Sequence, residues 1–229
     1  MARKPEEITD PQDLATYYLA TAEFPSGFMT QYGASAVVAS DRHQDLATGY
    51  PIGKRFASVE VARVSDGNVV HLGHHARADG RWRIYAFADS AEAGQPSALS
   101  QWADWMAGPQ SPVTVHTPAG ADPDAVFDVK AIYQQRYDEI EFPAVPEVFR
   151  PRSGPLGLTD WEKVFGAAPS AWHDSDIFDE RGLSRDGVVV VVRPDQYVAG
   201  VFPLAATDEL AAFFAGALRT VSSAGRPAY

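Results

Sequence analysis

Apolar and polar side chains alternate over residues 58–64, which is the period-two pattern of a β-strand. The turn signal Asp66-Gly67-Asn68 follows, and it predicts a hairpin whose second strand spans residues 69–75. A second turn signal, Asp79-Gly80, precedes residues 82–88, where the side chains of both faces are largely apolar. Because a strand with one face in water would alternate, residues 82–88 are predicted to form a central strand covered on both sides.

Helical spacing of apolar residues predicts three helices. The first begins at Asp10-Pro11, an N-cap followed by proline at the first helical position, and continues through residue 22. The second spans residues 96–106 and carries an apolar stripe on one face. The last spans residues 208–218, where Thr207 is the expected cap and two acidic residues occupy the first turn.

The C-terminal third contains the most apolar run of the chain. Five consecutive valines within residues 187–192 are the β-branched signature of a fully buried strand. A tight turn over residues 193–196 and a return strand over residues 197–202 follow. Further strands are predicted over residues 113–116 and 126–133.

Two segments of the second half have no regular period. Prolines interrupt residues 142–158, which are predicted to be irregular, and residues 160–165 are expected to form a short helix or turn. The remaining order of strand, helix, strand, hairpin and helix is typical of a thioredoxin-like layer sandwich, an α/β fold. Here the fold is predicted with an N-terminal helical or linker extension and an additional β-hairpin region.

Charge and composition exclude several classes of function. The 229 residues carry a net charge of −11, whereas nucleic acids and anionic membrane surfaces attract basic patches. The absence of cysteine excludes disulfides, thiolate catalysis, and iron–sulfur or zinc–thiolate sites. No segment approaches the roughly 20 apolar residues of a membrane-spanning helix, and residues 1–10 lack the apolar core of a secretory signal. We therefore expect a cytoplasmic protein that is not a complete enzyme by itself.

Two short motifs resemble ligand-binding sites. The loop from Gly49 to Arg55 has three residues between its glycines and Arg after Lys54, whereas a phosphate loop has four residues and then Ser or Thr. His71, His74 and His75 could contribute metal ligands, but on a strand His74 would lie on the opposite face from the other two. A turn and surface histidines are therefore the favoured interpretations of these motifs.

An acidic stretch has the spacing of a calcium loop only in part. Asp174, Asp176 and Asp179 occupy the first, third and sixth positions, but the sixth position should be glycine. Arg185 stands at the twelfth position, where such a loop has glutamate. The sequence therefore predicts a solvated acidic turn, and no residue of this chain is assigned to a metal.

The corner where a thioredoxin-like protein would carry its redox centre has no thiol here. Residues 89–95 connect the predicted central strand to the following helix and contain neither C-x-x-C nor a single cysteine. The proline that thioredoxins place before their penultimate strand is also missing from residues 181–187. The G-x-G-x-x-G and G-x-S-x-G motifs are absent as well.

Four segments, taken in order, resemble the phenol hydroxylase family of FAD-dependent aromatic monooxygenases. Residues 188–199, with the sequence VVVVVRPDQYVA, resemble the family's closing signature VVRPDGYVA, with Gln196 where the family usually has glycine. Residues 24–32 resemble the beginning of the family's third domain, and residues 46–55 resemble the turn that follows. Residues 78–88 resemble its first core strand. The resemblance extends over roughly residues 10–218.

This resemblance implies a specific division of labour. In the family, the third domain is thioredoxin-like, lacks redox cysteines and contributes to dimerisation, while FAD and the phenolic substrate bind to the two preceding domains. NAD(P)H reduces the FAD, and the flavin then hydroxylates the phenol. Residues 24–229 would be the third domain, and residues 1–23 would be the tail of the preceding domain or a linker. No catalytic or cofactor-binding residue of the family is therefore assigned to this chain.

The turn Arg193, Pro194, Asp195 and Tyr197 is the one candidate site. Pro194 presets the turn and Asp195 can bind nearby amides, which is a structural role. Exposed Arg and Tyr are also favoured at interfaces, which allows a contact with a second copy of the chain or with the catalytic domains. The chain could be a piece of a larger monooxygenase or a separately encoded domain, and the rival hypothesis is a free-standing binding or scaffold protein without redox activity.

Overall fold

The fold is organised around one mixed sheet, as seen in a computed structural model that describes Tyr17, residues 27–167 and residues 175–219. Within these residues the sheet has seven strands in the order β2-β1-β7-β4-β3-β8-β9, and β5 and β6 form a separate two-stranded hairpin. The strands are β1 (Glu60–Arg63), β2 (Val69–His71), β3 (Trp82–Phe87), β4 (Phe127–Tyr133), β5 (Arg152–Ser153), β6 (Leu158–Thr159), β7 (Val164–Gly166), β8 (Val188–Val192) and β9 (Val198–Phe202). The helices are α1 (Ala98–Met106), α2 (Pro112–His116), α3 (Ile177–Glu180) and α4 (Thr207–Ala217).

The centre of the sheet has the connectivity of a thioredoxin-like fold, as the sequence predicts. β3 pairs in parallel with β4, and the crossover between them contains α1. β8 pairs antiparallel with β3 and forms a hairpin with β9, after which α4 follows. β1, β2 and β7 extend the sheet on the other side of β4, and they include the additional hairpin that was expected.

Both faces of β3 are buried, which confirms its prediction as a central strand. Trp82, Ile84 and Ala86 lie in a core with α1 and α4, while Tyr85 and Phe87 lie in a second core on the opposite face. The first core contains the predicted apolar stripe of α1, namely Leu99, Trp102, Ala103 and Met106. The five valines of β8 are all buried and divide between the two cores in strict alternation.

Two predicted elements are wrong for local reasons. Residues 113–116 belong to helix α2 rather than to a strand, because the hydroxyl of Ser111 accepts from the amide of Thr114 and Pro112 stands at the first helical position. The expected helix or turn at residues 160–165 ends in strand β7, whose Val164 pairs with Ala131 of β4.

The hairpin after β1 is confirmed, but its second strand is shorter than predicted. β2 ends at His71, and Leu72–His75 form a 3-10 helix. The signal Asp79-Gly80 does not connect neighbouring strands, because β2 lies at the edge of the sheet and β3 at its centre. Thr207 is the first helical residue of α4 and not its cap, which is Ala206.

The N-terminal helix expected over residues 10–22 lies, except for Tyr17, outside the described residues. Residues 142–158 were predicted to be irregular, and the prediction holds only for the first part, which contains the 3-10 turns Phe142–Ala144 and Glu147–Phe149. It is wrong from Arg152 onward, where β5 pairs with β6 in an antiparallel hairpin. Within the described parts of the chain, no helix has both the length and the apolar character needed to cross a bilayer.

Candidate functional site

The predicted turn at Arg193 connects β8 to β9 and is closed from within. The amide of Arg193 donates to the carbonyl of Tyr197 at 2.8 Å, and the amide of Gln196 donates to the carbonyl of Arg193 at 2.9 Å. The Arg193 guanidinium forms a two-point ion pair with Asp195, with Nε at 3.0 Å from Oδ1. Gln196 has a φ of 71°, a left-handed conformation that glycine adopts without steric cost.

Two tyrosines enclose the Arg193 side chain. The rings of Tyr32 and Tyr197 meet edge to face with centroids 4.9 Å apart. The guanidinium carbon of Arg193 lies 4.8 Å from the ring centre of Tyr32 and 5.7 Å from that of Tyr197. Since a cation over an aromatic face is attracted by the ring quadrupole, these groups stabilise one another. We call Tyr32, Arg193, Asp195 and Tyr197 the Arg193 cluster.

The Arg193 cluster joins three segments that are distant in sequence. The amide of Gly53 donates to Val198 at 2.8 Å, and the amide of Tyr32 donates to Gly53 at 3.0 Å. A Cβ on Gly53 would lie 2.0 Å from the carbonyl oxygen of Tyr32, and its φ is 82°, so only glycine fits there. The glycine-containing loop at residues 49–55 is therefore a packing turn.

Pro194 is half-buried beside the cluster. The side chain of Asp195 is half exposed, and Tyr32 is 43% exposed. The hydroxyl of Tyr197 donates to the carbonyl of Gly27 at 3.4 Å, so the cluster also contacts the segment that precedes Tyr32. Its internal contacts support the structural role of the turn, while its exposed side leaves room for a contact surface.

The three histidines are arranged differently from the prediction. Because the chain turns into a 3-10 helix after His71, the rings of His71 and His74 approach to 5.0 Å. His75 points elsewhere and contacts Phe165 edge to face at 5.9 Å. In the parts of the chain that the structure describes, no group of three His, Cys, Asp or Glu side chains could hold a metal ion.

The acidic turn has a structural role at the residues that are described. Asp176 caps α3 by accepting from the amides of Phe178 and Asp179 at 2.9 and 3.1 Å. Arg185 binds Asp176 and Asp179 at 3.0 and 2.8 Å. Asp174 lies outside the described residues. Arg185, at the position where a calcium loop has its last carboxylate, therefore neutralises this turn.

The corner between β3 and α1 is filled by a carboxylate. Asp89 accepts from the amides of Ala98 and Leu99, at 2.8 and 3.3 Å, at the N-terminus of α1. That is where a dinucleotide cofactor would place its pyrophosphate, and a second anion there would be repelled. The residues of this corner therefore do not fit FAD, and no step of flavin chemistry is assigned to them.

Sequence reasoning missed a buried group of charges between β3, β4 and β7. Asp128 accepts hydrogen bonds from Lys130 and from Lys163, the latter at 2.6 Å, and lies 3.7 Å from Nε of Arg83. Burial alone would raise the pKa of Asp128, but the two lysines outweigh it and hold that pKa well below its usual range. Burial, opposed by Asp128, lowers the pKa of Lys130 to about 8. The available signal was the presence of Arg83, Asp128 and Lys130 within otherwise apolar strands.

A second feature missed by the sequence is an exposed apolar patch on the β5–β6 hairpin. Leu156 is 80% exposed and Leu158 is 66% exposed. Trp161 follows the hairpin at 50% exposure, and its ring packs against Phe142 with centroids 4.6 Å apart. Two large apolar side chains are thus exposed close together on one hairpin. We call Leu156 and Leu158 the hairpin patch.

Comparisons with known proteins assign the family. The 3-hydroxybenzoate 4-monooxygenase of Comamonas testosteroni is 41% identical over 216 residues, which cover 92% of this chain and 33% of that protein. The phenol 2-monooxygenase fsqG of Aspergillus fumigatus is 28% identical over 213 residues, covering 90% of this chain and 34% of that protein. The chain thus spans about a third of the length of these relatives.

Among solved structures, a domain of a possible thiol-disulfide isomerase from Cytophaga hutchinsonii superposes with a TM-score of 0.43 at 13% identity, covering 71% of this chain and 92% of that domain. The model of the family described as phenol hydroxylase, C-terminal dimerisation domain, matches residues 30–222. That match includes the Arg193 cluster, the hairpin patch and the whole described sheet. The chain therefore belongs to the phenol hydroxylase C-terminal dimerisation domain family.

Proposed function

We propose that this chain is the self-association domain of an FAD-dependent aromatic monooxygenase and is not catalytic by itself. Residues 24–229 are the domain, and residues 1–23 connect it to catalytic domains that bind FAD and the phenolic substrate. The Asp89 carboxylate in the β3–α1 corner supports this proposal, because it takes the helix amides that a redox or nucleotide site would use. The proposed location is the cytoplasm.

The observation that carries the self-association proposal is the exposure of Leu156 and Leu158 on one short hairpin. A second copy of the chain would cover these side chains in a symmetric contact. Burying a leucine side chain contributes about 1.5–3 kcal/mol, and a twofold contact buries Leu156 and Leu158 of both copies. The hairpin patch is therefore able to supply a large part of the free energy of dimer formation.

Light scattering coupled to size exclusion tests this proposal on the purified chain. Wild type is expected to be a dimer, and the Leu156→Asp/Leu158→Asp variant is expected to be a monomer, with a dimer Kd raised more than about hundredfold. Val69→Asp is the matched control, because Val69 is also exposed, at 54%, but lies on strand β2. A monomeric wild type rejects self-association, and a dimeric double variant rejects the hairpin patch.

We further propose that Arg193, Pro194, Asp195 and Tyr197 contact the catalytic domains. The support is positional: the cluster holds the chain at Gly27, next to the segment through which the preceding domains would connect. In the longer protein, Asp195→Lys is expected to increase protease cleavage near residue 24. Because it also breaks the ion pair with Arg193, the Tm of the separate domain is measured alongside, and cleavage is expected to increase even at temperatures well below that Tm. Unchanged cleavage would contradict the contact.

A flavin titration separates this function from an independent flavoprotein. The visible spectrum of the purified chain, mixed with FAD and then desalted, is expected to show no retained flavin. Flavin retained at one equivalent would overturn the assignment of FAD to other domains.

A further inference from the structure

A cavity of about 550 Å³ lies between α1, α2, β4 and residues 147–152. It is separate from the Arg193 cluster and from the β3–α1 corner, since none of their residues lines it. Binding sites for small molecules have volumes of about 300–1,000 Å³ and mainly apolar walls. The volume of this cavity is therefore that of a small-molecule site.

One side of the cavity lining is apolar. Met106 of α1 and Phe127 of β4 are fully buried, and Val113 of α2 and Val148 complete the wall. The cap at Ser111 fixes the beginning of α2 and so the place of Val113. A preformed apolar wall binds a flat apolar group without first paying for side-chain ordering.

The mouth of the cavity has a different character, because Arg150 and Arg152 line it. Nε of Arg150 is buried and donates to no acceptor among the described residues. Within residues 27–167 and 175–219, neither guanidinium forms an ion pair, although the chain carries a net charge of −11. Arg81 and Arg185, by contrast, each bind two carboxylates.

The acidic groups of the lining do not cancel this positive charge. Asp124 is engaged by Arg81 at 2.8 Å, by Lys163 at 3.1 Å and by the hydroxyl of Ser153 at 2.7 Å. Glu147 is exposed and forms no ion pair with described residues. Two unpaired arginines therefore face one unpaired carboxylate at the mouth of an apolar cavity.

The aromatic ring of Trp161 lines the cavity together with the two arginines. Phe142 lies outside the lining and packs against both kinds of group: its ring centre is 6.0 Å from the guanidinium carbon of Arg150 and 4.6 Å from the ring centre of Trp161. Planar arginine and aromatic groups favour planar ligands, and arginine binds carboxylates through two parallel hydrogen bonds. We propose that this cavity binds a small aromatic carboxylate, whose ring lies on the apolar wall and whose carboxylate pairs with Arg150 and Arg152.

Isothermal titration of the purified chain with benzoate tests this site. Benzoate is expected to bind with one site per chain, and benzamide, its neutral analogue, is expected to bind at least about tenfold more weakly because it lacks the charge-assisted bonds. Inorganic phosphate, an anion without an apolar body, is expected not to bind. Equal binding of benzoate and benzamide, or tight binding of phosphate, would overturn the proposal, as would no heat with benzoate.

Arginine variants locate the site. Arg150→Gln and Arg152→Gln are each expected to weaken benzoate binding about tenfold. The control is Arg42→Gln, which removes a charge of the same kind at a side chain that is 70% exposed and does not line the cavity. Unchanged benzoate affinity in both cavity variants would reject the site.

The test is independent of self-association. Light scattering on Arg150→Gln is expected to give the wild-type mass, because Arg150 precedes the β5–β6 hairpin, whereas Arg152 belongs to β5 itself. A monomeric wild type that still binds benzoate would reject the dimer proposal and leave the cavity proposal intact. A wild type that is a dimer but does not bind benzoate would reject the cavity proposal and leave the dimer proposal intact.

Discussion

Among the described residues, Asp128 is the one carboxylate that binds both buried lysines of the charge group, and Asp128→Asn removes its charge. The substitution keeps the size and one carbonyl acceptor, and it leaves Lys130 and Lys163 in place with relative exposures of 4% and 3%. It therefore isolates the charge of Asp128 from its volume.

The expected loss of stability follows from the contacts. Hydrogen bonds to charged groups contribute about 1.5–3 kcal/mol each, and Asp128 accepts two of them, from Lys130 and Lys163. Removing one partner of a buried ion pair costs about 3–5 kcal/mol, because the remaining charge stays desolvated. Here that charge is Lys130, whereas Lys163 keeps its ion pairs with Asp124 and Asp160. We expect a loss of about 3–5 kcal/mol, which for a domain of this size lowers Tm by about 6–20 °C.

Urea denaturation at pH 6 and pH 9, followed by circular dichroism, measures this loss. Lys130 can shed its charge more easily than an ordinary lysine, because burial lowers its pKa to about 8. The penalty of Asp128→Asn should therefore be smaller at pH 9 than at pH 6. The control Asp138→Asn, which breaks the exposed pair with Arg136, should leave the midpoint unchanged. A loss below about 1 kcal/mol at pH 6 would refute the buried-pair reasoning.

Four further outcomes are expected from equilibrium unfolding. Gln196→Gly should stabilise the chain by about 0.5–1 kcal/mol by relieving its left-handed backbone, and a loss of stability would contradict this. Gly187→Ala should cost about 1–3 kcal/mol, since its Cβ would lie 2.3 Å from Leu204 Cδ1 and its φ is 91°; a neutral effect would mean that Leu204 moves freely. Asp89→Ala should cost about 1 kcal/mol because the first amides of α1, those of Ala98 and Leu99, lose their acceptor, and an unchanged stability would contradict this. The pKa of Lys130 is about 8 in the folded chain, so above pH 8 the unfolded chain binds more protons than the folded chain. The free energy of unfolding should therefore rise between pH 8 and about pH 9.5. A Lys130→Met variant should lack this rise.

Hydrophobic patterns along the chain were sufficient to predict the strands and helices whose structure is decided by burial of the whole element. The valines of β8 and the mixed apolar faces of residues 82–88 become strands covered on both sides. The apolar stripe of residues 98–106 becomes the buried face of α1. In each case the secondary structure favoured by the local hydrophobic period is also the one that buries the segment in the fold. Contacts with neighbouring elements therefore did not change the predicted structure.

Predictions were wrong where a local contact competes with an apolar run. The segment 113–116 has the composition of a strand, but Ser111 and Pro112 start a helix there. Val164 begins a strand because Ala131 of β4 offers it a pairing edge, which no pattern in residues 160–165 reveals. His75 turns toward Phe165 because the strand ends four residues early.

The sequence by itself determined the thioredoxin-like order of elements, the lack of cysteine and the position of the turn at Arg193. Only the tertiary structure brought Tyr32 to Arg193, set Lys163 against Asp128, and left two arginines unpaired at an apolar cavity. The physical reason is range. Hydrophobic periodicity and helix capping act between residues a few positions apart. These contacts join segments that are separated by 35 residues or more and that meet only when the strands of the sheet pair.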